Sequence, residues 1–399
     1  MLSLLAWRAA NATDGLEPIG VSTAANSRGG ADIAVGDTSL SQIENPAALG
    51  FQGRRFDFGA QFGFPIATWR GPLETAESHT QFIPMGNAAI TIPLDARWTM
   101  GVALHSKAGL GTAYEMRHLL IPFVDRDVGG DMKCIDTQLN FACRVSERLA
   151  LGGGVRLDIA QAGFSTVLGP ADLDFGQGRA IGGGFQFGAM YKLQKDLTLG
   201  VAYRSPTWSG DLQGGRGKAS LFGVVPIGLG EISMTDFSLP QRIGAGIAWD
   251  ATENLKLIGE IRWLNYENST LDVVNIQTEG WLDLRYPLPL GYRNQWAFII
   301  GAEYRLDQHW VIGAGYHYAT PPVDGENLLP MGSTISDHHI TAGVRYEQDN
   351  WHFDVGYVLG LPATLSGPGY SRIPLGVDYG RSEIHQVQHI LGVGFGFSW

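Results

Sequence analysis

Fourteen segments of this chain alternate apolar with small or polar residues at a period of two, and that repetition leaves few folds open. In "FDFGAQFGF", Phe56, Phe58, Ala60, Phe62 and Phe64 share one face. In "WAFIIGAEYR", Trp296, Phe298, Ile300, Ala302 and Tyr304 stand against Glu303 and Arg305, and in "WHFDVGYVL", Trp351, Phe353, Val355, Tyr357 and Leu359 stand against His352 and Asp354. The same pattern recurs near 53–66, 84–94, 98–108, 133–145, 149–161, 180–193, 196–206, 240–250, 255–267, 295–305, 309–319, 337–347, 350–360 and 385–399. It runs out in "LGVGFGFSW", with Leu391, Val393, Phe395, Phe397 and Trp399 on one parity.

The connections alternate in length. Short turns fall at "LDARW", "SERLA", "LQKDL", "DATENL", "RLDQHW" and "EQDNW". Seven longer, polar, Gly- and Pro-rich connections lie between them, the longest at 207–239 and 268–294. Six short turns at one end and seven long loops at the other is what an all-β, antiparallel up-and-down barrel of fourteen strands requires, and outer-membrane barrels show this asymmetry.

Alternation alone does not say which way the apolar face points. In thirteen of these segments the apolar parity is expected to carry no Asp, Glu, Lys or Arg, as a hydrocarbon-facing surface demands. The opposite parity is rich in Gly and carries Arg156, Asp158, Arg204, Arg242, Glu260, Arg262, Glu303, Arg305, Arg345 and Asp354. That suits a wide interior, wet or plugged, better than the Lys- and Glu-dominated exterior of a soluble protein. Trp98, Tyr191, Trp249, Tyr304, Trp310, Tyr346, Trp351 and Trp399 flank the short turns, as an aromatic girdle at one bilayer interface would. A soluble sandwich or propeller would scatter them. The expected location is the bacterial outer membrane.

Composition narrows the function classes. A formal charge of −11 argues against a nucleic-acid binder. No window approaches the ~20 consecutive apolar residues of a membrane helix. Cys134 and Cys143 fall on one strand, ~30 Å apart on opposite faces, and should remain free thiols. The opening "MLSLLAWRAA" lacks the basic region and clear cleavage site of a secretory signal, so export rests on the rest of the chain.

Residues 1–50 differ from the remainder. "TDGLEPIGVSTAANSRGGADIAVGDTSLSQIENPAALG" is rich in small residues and has no sustained period. It reads as a plug packed against the glycines of the inner wall rather than a disordered tail, since fourteen strands enclose more space than side chains fill. The division is therefore a hatch at 1–50 and a barrel at 51–399. In "NPAALG", Pro46 fixes its own φ and restricts Asn45, which marks an ordered turn.

On these residues the chain resembles the FadL group of outer-membrane channels (OMPP1/FadL/TodX), over nearly its whole length. "ENPAALG" at 44–50 resembles that family's Asn-Pro-Ala hatch motif. "YRSPTWSG", "LPQRIGAGIAWDATENLKLIGEIRWLNYENS", "WAFIIGAEYRLDQHWVIGAGYHYATPPV" and "SDHHITAGVRYEQDNWHFDVGYVL" are similar to its hairpins, in order. The resemblance implies passive uptake of long-chain fatty acids or hydrocarbons. The ligand would be captured by extracellular loops, passed through an apolar pocket to the hatch, and released by hatch movement or through a lateral gap. Asn45, Pro46 and Ala47 carry over as the hatch motif.

Candidate capture residues are Leu119, Leu120, Ile121, Pro122 and Phe123 in "HLLIPF", and Leu221, Phe222, Val224, Val225, Pro226 and Ile227 in "LFGVVPIG"; packing of loop on loop is the alternative. Arg156, Arg242, Arg262, Arg305 and Arg345 either hold a substrate carboxylate or pair with Asp158, Glu260, Glu303 and Asp354 to anchor the plug. No cofactor, metal or catalytic group is expected. His338, His339, His385 and His389 with Asp337 and Ser382 raise the question of an enzyme, but no G-x-S-x-G motif accompanies them. A general diffusion porin is the other rival. The expected partners are hydrophobic small molecules, outer-membrane lipids and lipopolysaccharide, and the barrel-assembly machinery through Trp399; the expected state is a monomer.

Overall fold

The computed structural model describes residues 14–279, 283, 285–331 and 335–399; the opening segment that lacks a clear export signal lies outside them. Fourteen antiparallel strands close into a barrel. In chain order they are β1 (Arg55–Arg70), β2 (Ile83–Pro93), β3 (Trp98–His118), β4 (Ile121–Arg144), β5 (Leu149–Leu168), β6 (Ala171–Lys192) and β7 (Leu197–Arg204). They continue with β8 (Arg242–Asp250), β9 (Leu255–Leu264), β10 (Gln295–Arg305), β11 (Trp310–Ala319), β12 (His338–Gln348), β13 (Trp351–Ser366) and β14 (Glu383–Ser398). Each pairs with its chain neighbours. β14 pairs with β1 from Arg55↔Ser398 to Arg70↔Glu383, so no open edge remains.

The apolar parity faces outward. Phe58, Val102, Leu139, Val155, Phe187, Val201, Ile300 and Leu391 are all exposed, which for a wall without charge is contact with lipid. Trp98, Trp249, Tyr304, Trp310 and Trp399 are exposed beside the short turns and form the girdle. On β4 the outward series Phe141, Leu139 and Ile135 ends at Lys133, whose exposed ammonium bonds Asp131 at 2.9 Å. Lys133 thus sits on the apolar parity, against the expectation that this parity carries no charge, because it lies where the hydrocarbon band stops and water begins.

The wall corrects one expectation. Residues 109–132 and 162–179, expected to be long loops, are continuations of strands. β3 and β4 meet in a tight turn at Leu119–Leu120, and β5 and β6 in one at Gly169–Pro170. About twelve residues of β4 stand beyond Lys133, ~40 Å measured along the strand. The remaining extracellular connections do hold loops, including a hairpin (Leu212–Leu221 with Val225–Thr235) that pairs with the top of β6 and with Val273–Glu279. Trp69, Tyr114, Tyr379, Phe237, Leu271 and Met331 belong to one buried cluster that caps the barrel above the membrane. Cys134 and Cys143 are both free.

Candidate functional site

The lower lumen is filled by residues 14–52. A one-turn helix, Thr23–Ser27, begins where the Ser22 hydroxyl accepts from the Ala25 amide at 3.0 Å. Two 3₁₀ turns come next, Ser39–Ile43 and Pro46–Phe51. Asn45 caps the second: its Oδ1 accepts from the Ala47 amide at 3.1 Å. Its Nδ2 donates inward to Ile33 O at 2.8 Å and outward to Ala189 O of β6 at 3.2 Å. Pro46 and Ala47 are fully buried against Gly152 of β5, where a Cβ would overlap the Pro46–Ala47 peptide; one on Gly188 would overlap the Asn45 amide. Small wall residues are what let the backbone of this segment touch the barrel.

Charge fastens the segment elsewhere. Arg262 bonds Glu260 at 2.6 Å and reaches Asp14 at 3.2 Å. Arg242 bonds Glu44 at 2.5 Å, and Glu17 receives both Arg204 and Arg242. Arg345 joins Asp354 at 2.6 Å to Asp37 at 3.0 Å. From the hatch side, buried Arg28 bonds Glu303 at 2.7 Å, Asp32 at 2.8 Å and Asp37 at 2.9 Å. Arg156 instead pairs within the wall, with Asp136 at 3.1 Å, and Arg305 lies at the periplasmic mouth with Glu347 at 2.9 Å. Each of the five arginines singled out in the sequence therefore meets a carboxylate of the protein itself.

Above the hatch lies a small apolar chamber of about 70 Å³. Leu16 forms part of its lining, together with Met132, Phe164, Met234, Phe237, Leu271, Leu288, Tyr292 and Met331. Gly130, Asp131, Met132, Gly163 and Phe164 also border a second, larger cavity of about 710 Å³. That cavity passes through the wall between β2 and β3. Pairing of these strands ends at Asn87↔His105, with a last bond from Gly86 N to Ser106 Oγ at 3.2 Å. It resumes only where His79 N donates to Ala113 O at 2.6 Å. Between those points Thr80, Ile83, Pro84 and Met85 face Ala108, Gly109, Gly111 and Thr112 across a gap in the ladder. Cys134 and Phe164 border it from the lumen side, Phe82 and Ile135 from the outside.

None of the capture residues named from the sequence borders either cavity. Leu119, Leu120, Ile121 and Phe123 surround the β3–β4 turn, where Ile121 is buried and Phe123 is 93% exposed. Leu221, Phe222, Val224, Val225 and Ile227 form the tip of the neighbouring hairpin, where Val224 is 77% exposed and Ile227 packs on the cap. The chamber's own lining was missed because it comes from five separate connections and strand extensions. Its signal is a run of Met and aromatic residues at inward positions beyond the membrane band.

Among the described residues no group of three or more His, Cys, Asp or Glu side chains is placed to hold a metal, and no helix is long and apolar enough to cross a membrane. His338 and His389 face outward, bonded to Tyr316 and Tyr357 at 2.5 Å each, whereas His339 is fully buried. A closed, lipid-facing wall with a filled lower lumen and an apolar upper chamber defines an outer-membrane channel barrel with an internal plug.

The comparisons with known proteins agree. The family model for outer membrane protein transport proteins (OMPP1/FadL/TodX) matches residues 4–359, and the chain belongs to that family of outer-membrane channels for hydrophobic compounds. Its fold is similar to the toluene transporter TodX of Pseudomonas putida (TM-score 0.82, 20% identity, 95% of this chain and 99% of that one). It is also similar to the toluene transporter TbuX of Ralstonia pickettii (TM-score 0.78, 20% identity, 95% and 98%). A FadL homologue of Pseudomonas aeruginosa is a third likeness (TM-score 0.79, 15% identity, 96% and 99%). No curated protein matches the sequence.

Proposed function

We propose that this channel takes up a small, neutral hydrophobic molecule, passing it from the extracellular cap through the apolar chamber and out sideways through the gap between β2 and β3. The observation that carries the reading is the shared border of chamber and gap at Met132, Gly163 and Phe164. An apolar solute released there enters the bilayer and avoids the cost of water, ~0.8 kcal/mol per CH₂. Below the chamber it would meet Lys107, Asp136, Asp158 and Arg204, whose buried charges an apolar molecule cannot solvate.

The substrate's neutrality rests on the arginines. A fatty-acid carboxylate needs a cation that is free to meet it, and Arg156, Arg242, Arg262, Arg305 and Arg345 are engaged, chiefly in anchoring the plug. The chamber is smaller than the ~150 Å³ cavity known to admit a benzene, so a ligand must push its walls aside. Met132, Met234 and Met331 are suited to that, being unbranched and soft. The exposed apolar tips at Leu119–Phe123 and Leu221–Ile227 serve as first contact, and Asn45, Pro46 and Ala47 fix the hatch that keeps water and ions out.

The test is uptake of radiolabelled monoaromatic or short alkane against labelled oleate, in a strain without its own channels of this family. Uptake of the neutral compound above that of oleate is expected. Oleate uptake without hydrocarbon uptake would overturn the proposed substrate class.

A further inference from the structure

The gap between β2 and β3 needs something to hold it, because two neighbouring strands with free N–H and C=O groups tend to pair. β3 has an irregularity at the edge of this gap. Ser106 opposes Ile135 on β4, and Ala108 opposes Cys134, so Lys107 is an extra residue in the ladder. Such a bulge bends its strand and shifts the parity of the residues beyond it. Pairing with β2 stops two residues earlier, at His105.

Lys107 does not reach solvent or lipid. Its side chain is 1% exposed, and its ammonium donates to Asp158 Oδ1 of β5 at 2.7 Å and to the Thr207 hydroxyl just beyond β7. Thr207 in turn donates to Asp158 Oδ2 at 3.1 Å. Asp136 lies 3.9 Å from the ammonium and is itself paired with Arg156. The extra residue of the bulge is thus bolted along the inner wall to β5, two strands away on the side of β3 that faces away from β2, and a buried ammonium cannot leave its carboxylate cheaply.

We propose that Lys107 is a positioning residue that keeps the wall gap open: its tether to Asp158 and Thr207 draws β3 toward β5 and leaves the β3-facing edge of β2 without a partner between Thr80 and Met85. Its bearing on transport rests on the lateral route proposed above; its bearing on the shape of the wall does not. The tether is local, so its loss should let β3 settle against β2 while the rest of the barrel keeps its register.

The experiment uses the full-length protein with Cys134→Ser and Cys143→Ser, carrying Ile83→Cys and Gly109→Cys across the gap, where a Cβ on Gly109 would lie 4.0 Å from Ile83 Cγ2. Lys107→Met alone strands a buried carboxylate, so Lys107→Met/Asp158→Leu, which replaces both partners by apolar groups, is the variant that should fold. Disulfide formation at a fixed oxidant concentration should run at least about tenfold faster in the double variant, and uptake should fall by about the same factor, at an unchanged unfolding midpoint. A merely structural role would lower the midpoint and leave the crosslinking rate of the folded fraction as it was. If the double variant crosslinks at the parental rate, Lys107 does not hold the gap and the proposal is overturned. If the oxidised parental pair still transports, the lateral route fails instead, and the crosslinking rates alone decide whether Lys107 shapes the wall.

Discussion

Single residues carry the seal between hatch and wall. Gly152 is the sharpest case, since any side chain there meets the Pro46–Ala47 peptide directly. Gly152→Val should either prevent assembly or displace the hatch, and single-channel recordings of the protein that does assemble should show a raised conductance. Arg262→Met removes the partner of two buried carboxylates, Glu260 and Asp14. It should cost on the order of 3–5 kcal/mol, read as a lower unfolding midpoint in urea, because the charges left behind stay buried. At this scale the sequence was informative about kind and about acids within the wall, since Arg262 meets Glu260 and Arg345 meets Asp354, and silent about pairing with the hatch. Arg242, Arg262 and Arg345 were legible as lumenal from strand parity alone. That their partners are Glu44, Asp14 and Asp37 was not, because those acids lie in a segment without periodicity, where nothing fixes which way a side chain points.

Among the elements, β3 to β6 teach the most. Their membrane portions were legible because lipid on one side and glycine on the other give a clean alternation. Beyond Lys133 the alternation continues with its phase reversed. Tyr114, Met116 and His118 turn inward while Glu115 and Arg117 turn out, since the apolar partner is now the capping core and water is outside. The bulge at Lys107 adds a slip of one residue at the same place. A search for an outward apolar face therefore stops at the membrane and reports a loop. The chamber built from these extensions yields its own expectation. Met234→Asp, placing a charge where the lining is apolar, should reduce hydrocarbon uptake by about tenfold or more without altering barrel formation, as judged by the shift in gel mobility on heating.

For the whole molecule, fourteen strands and their closure came from counting segments and from the uneven turns. The gap between β2 and β3 could not be counted in that way: the segments on either side of it still alternate, and the absent hydrogen bonds and the one-residue bulge that distinguish it are features of the ladder rather than of the residue pattern. The filled lower lumen has an electrical consequence. Purified protein in planar bilayers should conduct little, and a variant lacking residues 14–50 should open to porin-like conductance; high conductance of the intact chain would favour a diffusion pore.

The seam between β1 and β14 also orders events in time. The strands on either side of it are separated by more than three hundred positions of chain, and the hatch precedes both. Its carboxylates can meet the arginines of β8, β9 and β12 only when those strands have been laid down around it, so the plug is enclosed rather than threaded in. Barrel closure and hatch seating then form a single commitment: before it the charged segment is exposed and harmless, and after it no route leads the segment out without breaking the wall or the ion pairs together.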